Sequence, residues 1–356
     1  MKKILIVDDS ALMRRVLCDI ITEDKRFQIE DRAADGLQAL ELLSRKTYDA
    51  VILDVNMPKL NGIELLKELQ KRKIAARVIM ASTDTREGAQ ITLDALELGA
   101  MDFVHKPDHV AGCRNDEFKN RLMQVLTAVT ESRVPTFTKA FSIEDVKKTK
   151  KVVELVSLHA GQMSGNRIVA IASSTGGPKA LQAVIPRLPG DLNAPVVIVQ
   201  HMPAGFTASL AERLNSLSEL SVKEAADGDV LERGKAYIAQ GGKHMNIRYA
   251  GGRHTIYYTD EPAREGVKPC ANYMFESLAG SRYDEVVCVV MTGMGADGTK
   301  GITYLKSKKK IHVIAQAEES CAVYGMPKSI VTAGLSNQIV TLEQIAQEVI
   351  MSVGVI

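Results

Sequence analysis

The sequence predicts an α/β protein of two doubly wound, mostly parallel sheets joined by a linker. Three observations carry this. Short apolar, β-branched runs alternate with amphipathic helical stretches through residues 1–130, and the alternation resumes over 167–356. Between them, 131–166 is charged and weakly patterned, with the basic run Lys147-Lys148-Thr149-Lys150-Lys151, which reads as a linker. At 356 residues the chain is also long for one domain.

In the first part, Lys3–Val7, Ala50–Leu53, Val78–Met80 and Asp102–Val104 are strand-like, with a weaker run at Gln28–Ala33. Helical patterns fill the gaps at Ala11–Glu23, Gly36–Ser44, Gly62–Lys71 and Arg86–Glu97, and a last one spans Glu117–Thr130. In the linker, Ile143–Leu158 could carry a helix. In the second part, Ile168–Ala172, Pro195–Gln200, Val286–Met291 and His312–Gln316 are strands. A helix is expected from Pro178, where proline suits the first turn. Another is expected at Ala208–Ser216, and a third after Tyr324-Gly325-Met326-Pro327. Lys235–Ala239, Met245–Tyr249 and Thr255–Thr259 surround the turns GGKH and AGGRH and suggest an antiparallel patch.

Composition narrows the function. A net charge of +2 gives no reason to expect nucleic acid or an anionic membrane as partner. No apolar run approaches spanning length, and MKKILIVDDS meets aspartates too early for a signal peptide, so a cytoplasmic protein without membrane insertion is expected. Cys18, Cys113, Cys270, Cys288 and Cys321 form no C-x-x-C pair, which argues against a zinc site or disulfide framework. Cys18 and Cys288, in apolar segments, are expected in the core.

Doubly wound sheets keep functional residues beyond the carboxyl ends of their strands. In the first part those ends carry Asp8-Asp9, Asp54, Ser82 and Lys106-Pro107. Three carboxylates at one sheet edge repel unless a cation sits among them, and Mg²⁺ suits such oxygen donors. IVDDS, LDVNMPKLNG, MAS and FVHKP resemble the signature of response-regulator receiver domains, from Lys2 to about Thr130. The resemblance implies a flavodoxin-like fold in which Asp54 accepts a phosphoryl group from a histidine kinase. Asp8, Asp9 and the main-chain carbonyl of Asn56 would join Asp54 around Mg²⁺. Ser82 and Lys106 would contact the phosphoryl oxygens, and Phe103 would be the switch aromatic.

In the second part, Ser174, His201 and Asp297 each follow a buried strand. Ser174 stands between strand and helix in ASSTGGP, where free N–H groups and the helix dipole favour an oxyanion. A serine nucleophile needs a histidine to take its proton and a carboxylate to orient that histidine. His244 in GGKHM competes with His201 for the base. The glycine-rich STGG, TGMGADG and AQGG also admit a nucleotide-binding reading, although none fits a dinucleotide or P-loop spacing. A regulator acting by binding alone is a third reading, but no basic recognition helix follows the linker.

SSTGG, QHMPAGFT, GKAYIAQGGKHM, TGMGADG and YGMPK resemble the catalytic domain of chemotaxis protein-glutamate methylesterases, over nearly all of 167–345. This implies a Rossmann-like hydrolase domain needing no cofactor of its own, with Ser174 as nucleophile, His201 as base and Asp297 as its orienter. The main-chain N–H of Met294, with help from Thr175, would form the oxyanion hole. Methylated chemoreceptors would be the substrate, with deamidation of receptor glutamines as a second activity. The unphosphorylated receiver would cover the serine cleft. Two stretches depart from the family pattern: Ala172-Ser173 replaces its usual Gly-Ala, and Pro269-Cys270-Ala271-Asn272 stands where Pro-Ser and an aspartate are common.

Overall fold

A computed structural model describes residues 1–83, 86–107, 115–132 and 165–356. The chain divides into two compact units, Met1–Ala140 and Phe141–Ile356. The candidate helix at 143–158, the basic run at 147–151 and Cys113 lie outside the described residues.

The first unit is a five-stranded parallel sheet: β1 (Lys2–Val7), β2 (Phe27–Ala33), β3 (Ala50–Asp54), β4 (Val78–Thr83) and β5 (Asp102–Lys106), in the order β2-β1-β3-β4-β5. Helices α1 (Ala11–Thr22), α2 (Gly36–Arg45), α3 (Gly62–Arg72), α4 (Arg86–Glu97) and α5 (Asp116–Glu131) alternate with the strands. Local chemistry sets their starts. Ser10, Asp35 and Asn61 each accept a first-turn N–H, and Asn61 and Glu64 form a reciprocal capping box. Ala50–Leu53 is buried throughout, as a strand covered on both faces requires.

The second unit is a seven-stranded parallel sheet in the order β14-β13-β12-β6-β7-β9-β8. Its strands are β6 (Arg167–Ser173), β7 (Val196–Gln200), β8 (Ser221–Glu224), β9 (Lys235–Ile238), β12 (Glu285–Val290), β13 (Lys310–Gln316) and β14 (Gln338–Val340). The antiparallel patch is confined to β10 (His244–Ala250) and β11 (Arg253–Thr259). Lys235–Ile238 instead joins the main sheet, parallel to β7 and β8, because Ala236 and Ile238 are buried there. The helices are α6 (Gly177–Val184), α7 (Phe206–Leu217), α8 (Ala271–Ser277), α9 (Thr299–Lys306), α10 (Met326–Thr332) and α11 (Leu342–Val353).

Tyr237, Phe275, Met245, Ile302 and Leu305 pack with the inner residues of β6 and β12 in one core. Fully burying one such side chain stabilises by roughly 1.5–3 kcal/mol. Cys18 and Cys288 are both buried. The chain leaves β6 for β7 and returns to β12 on the other side, so the strand order reverses between β6 and β12. A crevice for ligand forms at such a reversal. Among the described residues no helix is long and apolar enough to cross a membrane.

Candidate active site and phosphoacceptor site

In the first unit, Asp8 follows β1, while Asp54 and Lys106 end β3 and β5. Lys106 Nζ lies 2.7 Å from Asp54 Oδ1 and 3.2 Å from Asp8 Oδ2, with all three side chains buried. Burial pushes the Asp54 carboxyl above its ordinary range against the opposing pull of Lys106. Asp9 is exposed, yet one carboxylate oxygen from each of Asp8, Asp9 and Asp54 falls within 4.8 Å of the others. Three carboxylates against one ammonium leave negative charge in excess, and all-oxygen donors suit a hard cation such as Mg²⁺. Ser82 Oγ donates to Gly88 O at 3.4 Å, Phe103 is packed inside, and Asn56 is exposed in the loop after Asp54.

In the second unit, strand register builds the site. Ser173 pairs with Gln200 across β6 and β7, so the next residues, Ser174 and His201, leave neighbouring strands side by side. His201 N donates to Ser173 O (3.1 Å), and Ser174 N donates to Thr292 O (3.0 Å) in the loop after β12. That loop must come close. A Cβ at Gly293 would lie 2.7 Å from Ser174 Cβ and would also strike Met326. Gly176, with φ at +76°, makes the tight entry to α6, and a Cβ there would strike Ala322.

Ser174, His201 and Asp297 are 5%, 6% and 3% exposed. His201 Nε2 lies 2.7 Å from Asp297 Oδ2, which leaves Nδ1 as the nitrogen that can serve a hydroxyl. The Ser174 hydroxyl makes no hydrogen bond to the His201 ring among the described residues. Such contacts often tighten only when substrate binds.

Asp297 is held on every side. Oδ2 also accepts from Ala271 N (2.6 Å), while Oδ1 accepts from Cys270 Sγ (3.0 Å), Asn272 N (2.9 Å) and Gly298 N (2.8 Å). Burial alone would raise its pKa. The hydrogen bond and charge of His201, then Cys270 and Ala271, outweigh burial and bring it down to about 2. Burial and the Asp297 charge both push the Cys270 thiol up, so it stays protonated and donates.

His244 belongs to the support. Its Nδ1 accepts from Cys270 N and its Nε2 donates to Pro262 O, both at 3.2 Å, and its ring lies 4.5 Å from Tyr273. Burial lowers its pKa and keeps it neutral. With both ring nitrogens engaged, it braces the turn that holds Asp297.

Thr175 is buried beside Ser174, and Met294, partly exposed, follows Gly293. Thr292 Oγ1 donates to Thr175 O (2.9 Å), tying the serine turn to the β12 loop. Ser173 is buried behind the turn, where its hydroxyl donates to Gln200 Oε1. Asn272 Oδ1 accepts from Gly298 N and Gly301 N and so caps α9. Sequence reasoning missed Gln200, Cys270 as a donor, Asn272 and Thr292. The departures at Ser173, Cys270 and Asn272 were the available signal.

Residues 169–349 match the model of the CheB methylesterase family, and residues 4–112 match that of the response regulator receiver domain. The chain is 40% identical over 352 residues to a protein-glutamate methylesterase/protein-glutamine glutaminase of Geobacillus kaustophilus, covering 99% of both. It is 41% identical over 353 residues to the protein of the same description from Bacillus subtilis, covering 98% of both. A crystal structure of the Thermotoga maritima CheB methylesterase catalytic domain is 41% identical, with a TM-score of 0.51, covering 54% of this chain and 100% of that one.

Proposed function

Because this chain belongs to the CheB methylesterase family and carries a receiver domain ahead of that part, we propose that it is a phosphorylation-controlled serine hydrolase. It removes methyl esters from glutamate side chains of chemoreceptors and deamidates receptor glutamines. The observation that carries the chemistry is the His201–Asp297 contact at 2.7 Å, beside the strand end that bears Ser174.

Ser174 Oγ attacks the side-chain carbonyl while His201 Nδ1 takes its proton. Asp297, ionised because its pKa is held near 2, steadies the imidazolium. The oxyanion is met by the Met294 main-chain N–H, with help from Thr175. The C–O bond to the methoxy group breaks, and His201 protonates the leaving methanol, or ammonia from an amide. Water then attacks the acyl-enzyme by the same steps reversed and releases carboxylate.

The domains are 1–130 for the receiver, 131–166 for the linker and 167–356 for catalysis. Asp54 accepts the phosphoryl group from a chemotaxis histidine kinase. Asp8, Asp9, Asp54 and the Asn56 carbonyl would hold Mg²⁺, which would neutralise charge there. Ser82 and Lys106 contact the phosphoryl oxygens, and Phe103 reports its presence. Phosphorylation of Asp54 raises the activity of the serine site by a population shift. Methanol release from methylated receptor, with and without a phosphodonor, tests this. Release should rise with phosphodonor in the wild type and not in Asp54→Asn. No release from methylated receptor would remove the activity, and equal stimulation of both proteins would remove the coupling.

A further inference from the structure

The mechanism gives no role to Gln200, although its buried side chain touches the backbone of both Ser174 and His201. We propose that Gln200, anchored by Ser173, is a positioning residue that fixes the peptide plane between Ser174 and Thr175 and so aims the Thr175 N–H at the oxyanion. This rests on the serine-hydrolase reading above.

Ser173 and Gln200 face each other in register across β6 and β7, at 0% and 1% exposure. Ser173 Oγ donates to Gln200 Oε1 at 2.7 Å. Gln200 Nε2 donates to Ser174 O at 3.0 Å and to His201 O at 3.2 Å. Turning the amide over would set Oε1 against two carbonyl oxygens, so only this orientation is compatible with its neighbours. The helix backbone closes over the amide, since a Cβ at Gly177 would run into Gln200 Oε1.

Ser174 O therefore accepts twice, from Gln200 Nε2 and from Gly177 N (2.7 Å). A trans peptide is planar, so fixing this carbonyl directs the Thr175 N–H the opposite way. The same amide holds the His201 carbonyl, which locks the two strand ends at one spacing. It touches neither the His201 ring nor Asp297, so the proton-accepting pair is left alone. Ser173, which stands where the resembled family usually has alanine, anchors the amide through this bond.

The test uses the full chain with Gln200→Met and Ser173→Ala. Gln200→Met keeps the length and loses both donors, and a fall in kcat of about 10- to 100-fold is expected, below the loss for deleting an oxyanion donor itself. KM for methylated receptor should stay within about twofold, and the pH profile of kcat/KM should not move. The rate at which a fluorophosphonate labels Ser174 should fall by the same factor as kcat. Ser173→Ala, a small change that will fold, should slow both reactions about two- to fivefold. Labelling at the wild-type rate in either variant overturns the proposal, as does a displaced pH profile, which would place the effect on the base. If Gln200→Met does not fold, Ser173→Ala alone decides. A wild-type chain that releases methanol without labelling at Ser174 would overturn the serine-hydrolase reading itself, and the two failures are thereby distinguished.

Discussion

Replacing Asp297 by asparagine removes one charge and almost no volume, and the five donors around the carboxylate set the outcome. Oδ1 faces Cys270 Sγ, Asn272 N and Gly298 N, while Oδ2 faces Ala271 N and His201 Nε2. An asparagine keeps its oxygen on the three-donor side, so its NH₂ meets the Ala271 N–H and the imidazole. His201 must then accept at Nε2 and carry its proton on Nδ1, which disables it as a base. The wrong tautomer costs on the order of 10⁴ in kcat in serine hydrolases. Leaving the buried Ala271 N–H without an acceptor costs about 1–3 kcal/mol, which for a unit of this size lowers Tm by roughly 5 °C. The folded-state pKa of Asp297, about 2 against 3.8, adds a pH signature. Because the folded value is the lower one, the carboxylate stabilises above about pH 4, and this contribution is lost as pH falls toward 2. It amounts to on the order of 2 kcal/mol. Urea unfolding at pH 7 and pH 3, beside methanol release, measures both effects. A folded Asp297→Asn retaining more than a tenth of wild-type kcat, or losing as much stability on acidification as wild type, would refute the argument.

Three further outcomes follow. Cys270→Ser preserves a donor to Asp297 Oδ1 and should retain activity, whereas Cys270→Ala should lose about 1 kcal/mol of stability and several-fold in kcat. Gly293→Ala places a methyl 2.7 Å from Ser174 Cβ and should destabilise by about 1–3 kcal/mol while slowing labelling of Ser174 by a fluorophosphonate. Mg²⁺ should raise the melting temperature of the first unit by binding the folded state alone, and Asp8→Asn should weaken that shift, both read by calorimetry.

The strand ends were legible because a doubly wound sheet puts chemistry there. Asp54, Ser174 and His201 each follow an uninterrupted apolar run whose end the sequence marks. The edges were harder to read. Ser221–Glu224 and Gln338–Val340 are short, and an edge strand carries little continuous apolar signal. Helices α8, α9 and α11 were not expected, although α11 opens on a capping box, Thr341 with Gln344; α8 and α9 begin without a side-chain cap of their own. The supports of the site could not be read along the chain at all. Cys270 and Ala271 reach Asp297 from 26–27 positions away, and Gln200 depends on the register of two strands. Between His201 and His244 the sequence favours His201, which directly ends the apolar run Pro195–Gln200, whereas His244 lies in the glycine-rich loop GGKHM. Their partners differ as well, a carboxylate for one and backbone groups for the other.

The chemistry proposed for this chain turns on the Ser174 hydroxyl forming the acyl-enzyme. Single-turnover methanol release from methylated receptor, comparing wild type with Ser174→Ala at matched Tm, tests it most directly. The alanine variant should release methanol no faster than receptor alone. Release at the wild-type rate would rule out Ser174 as the nucleophile.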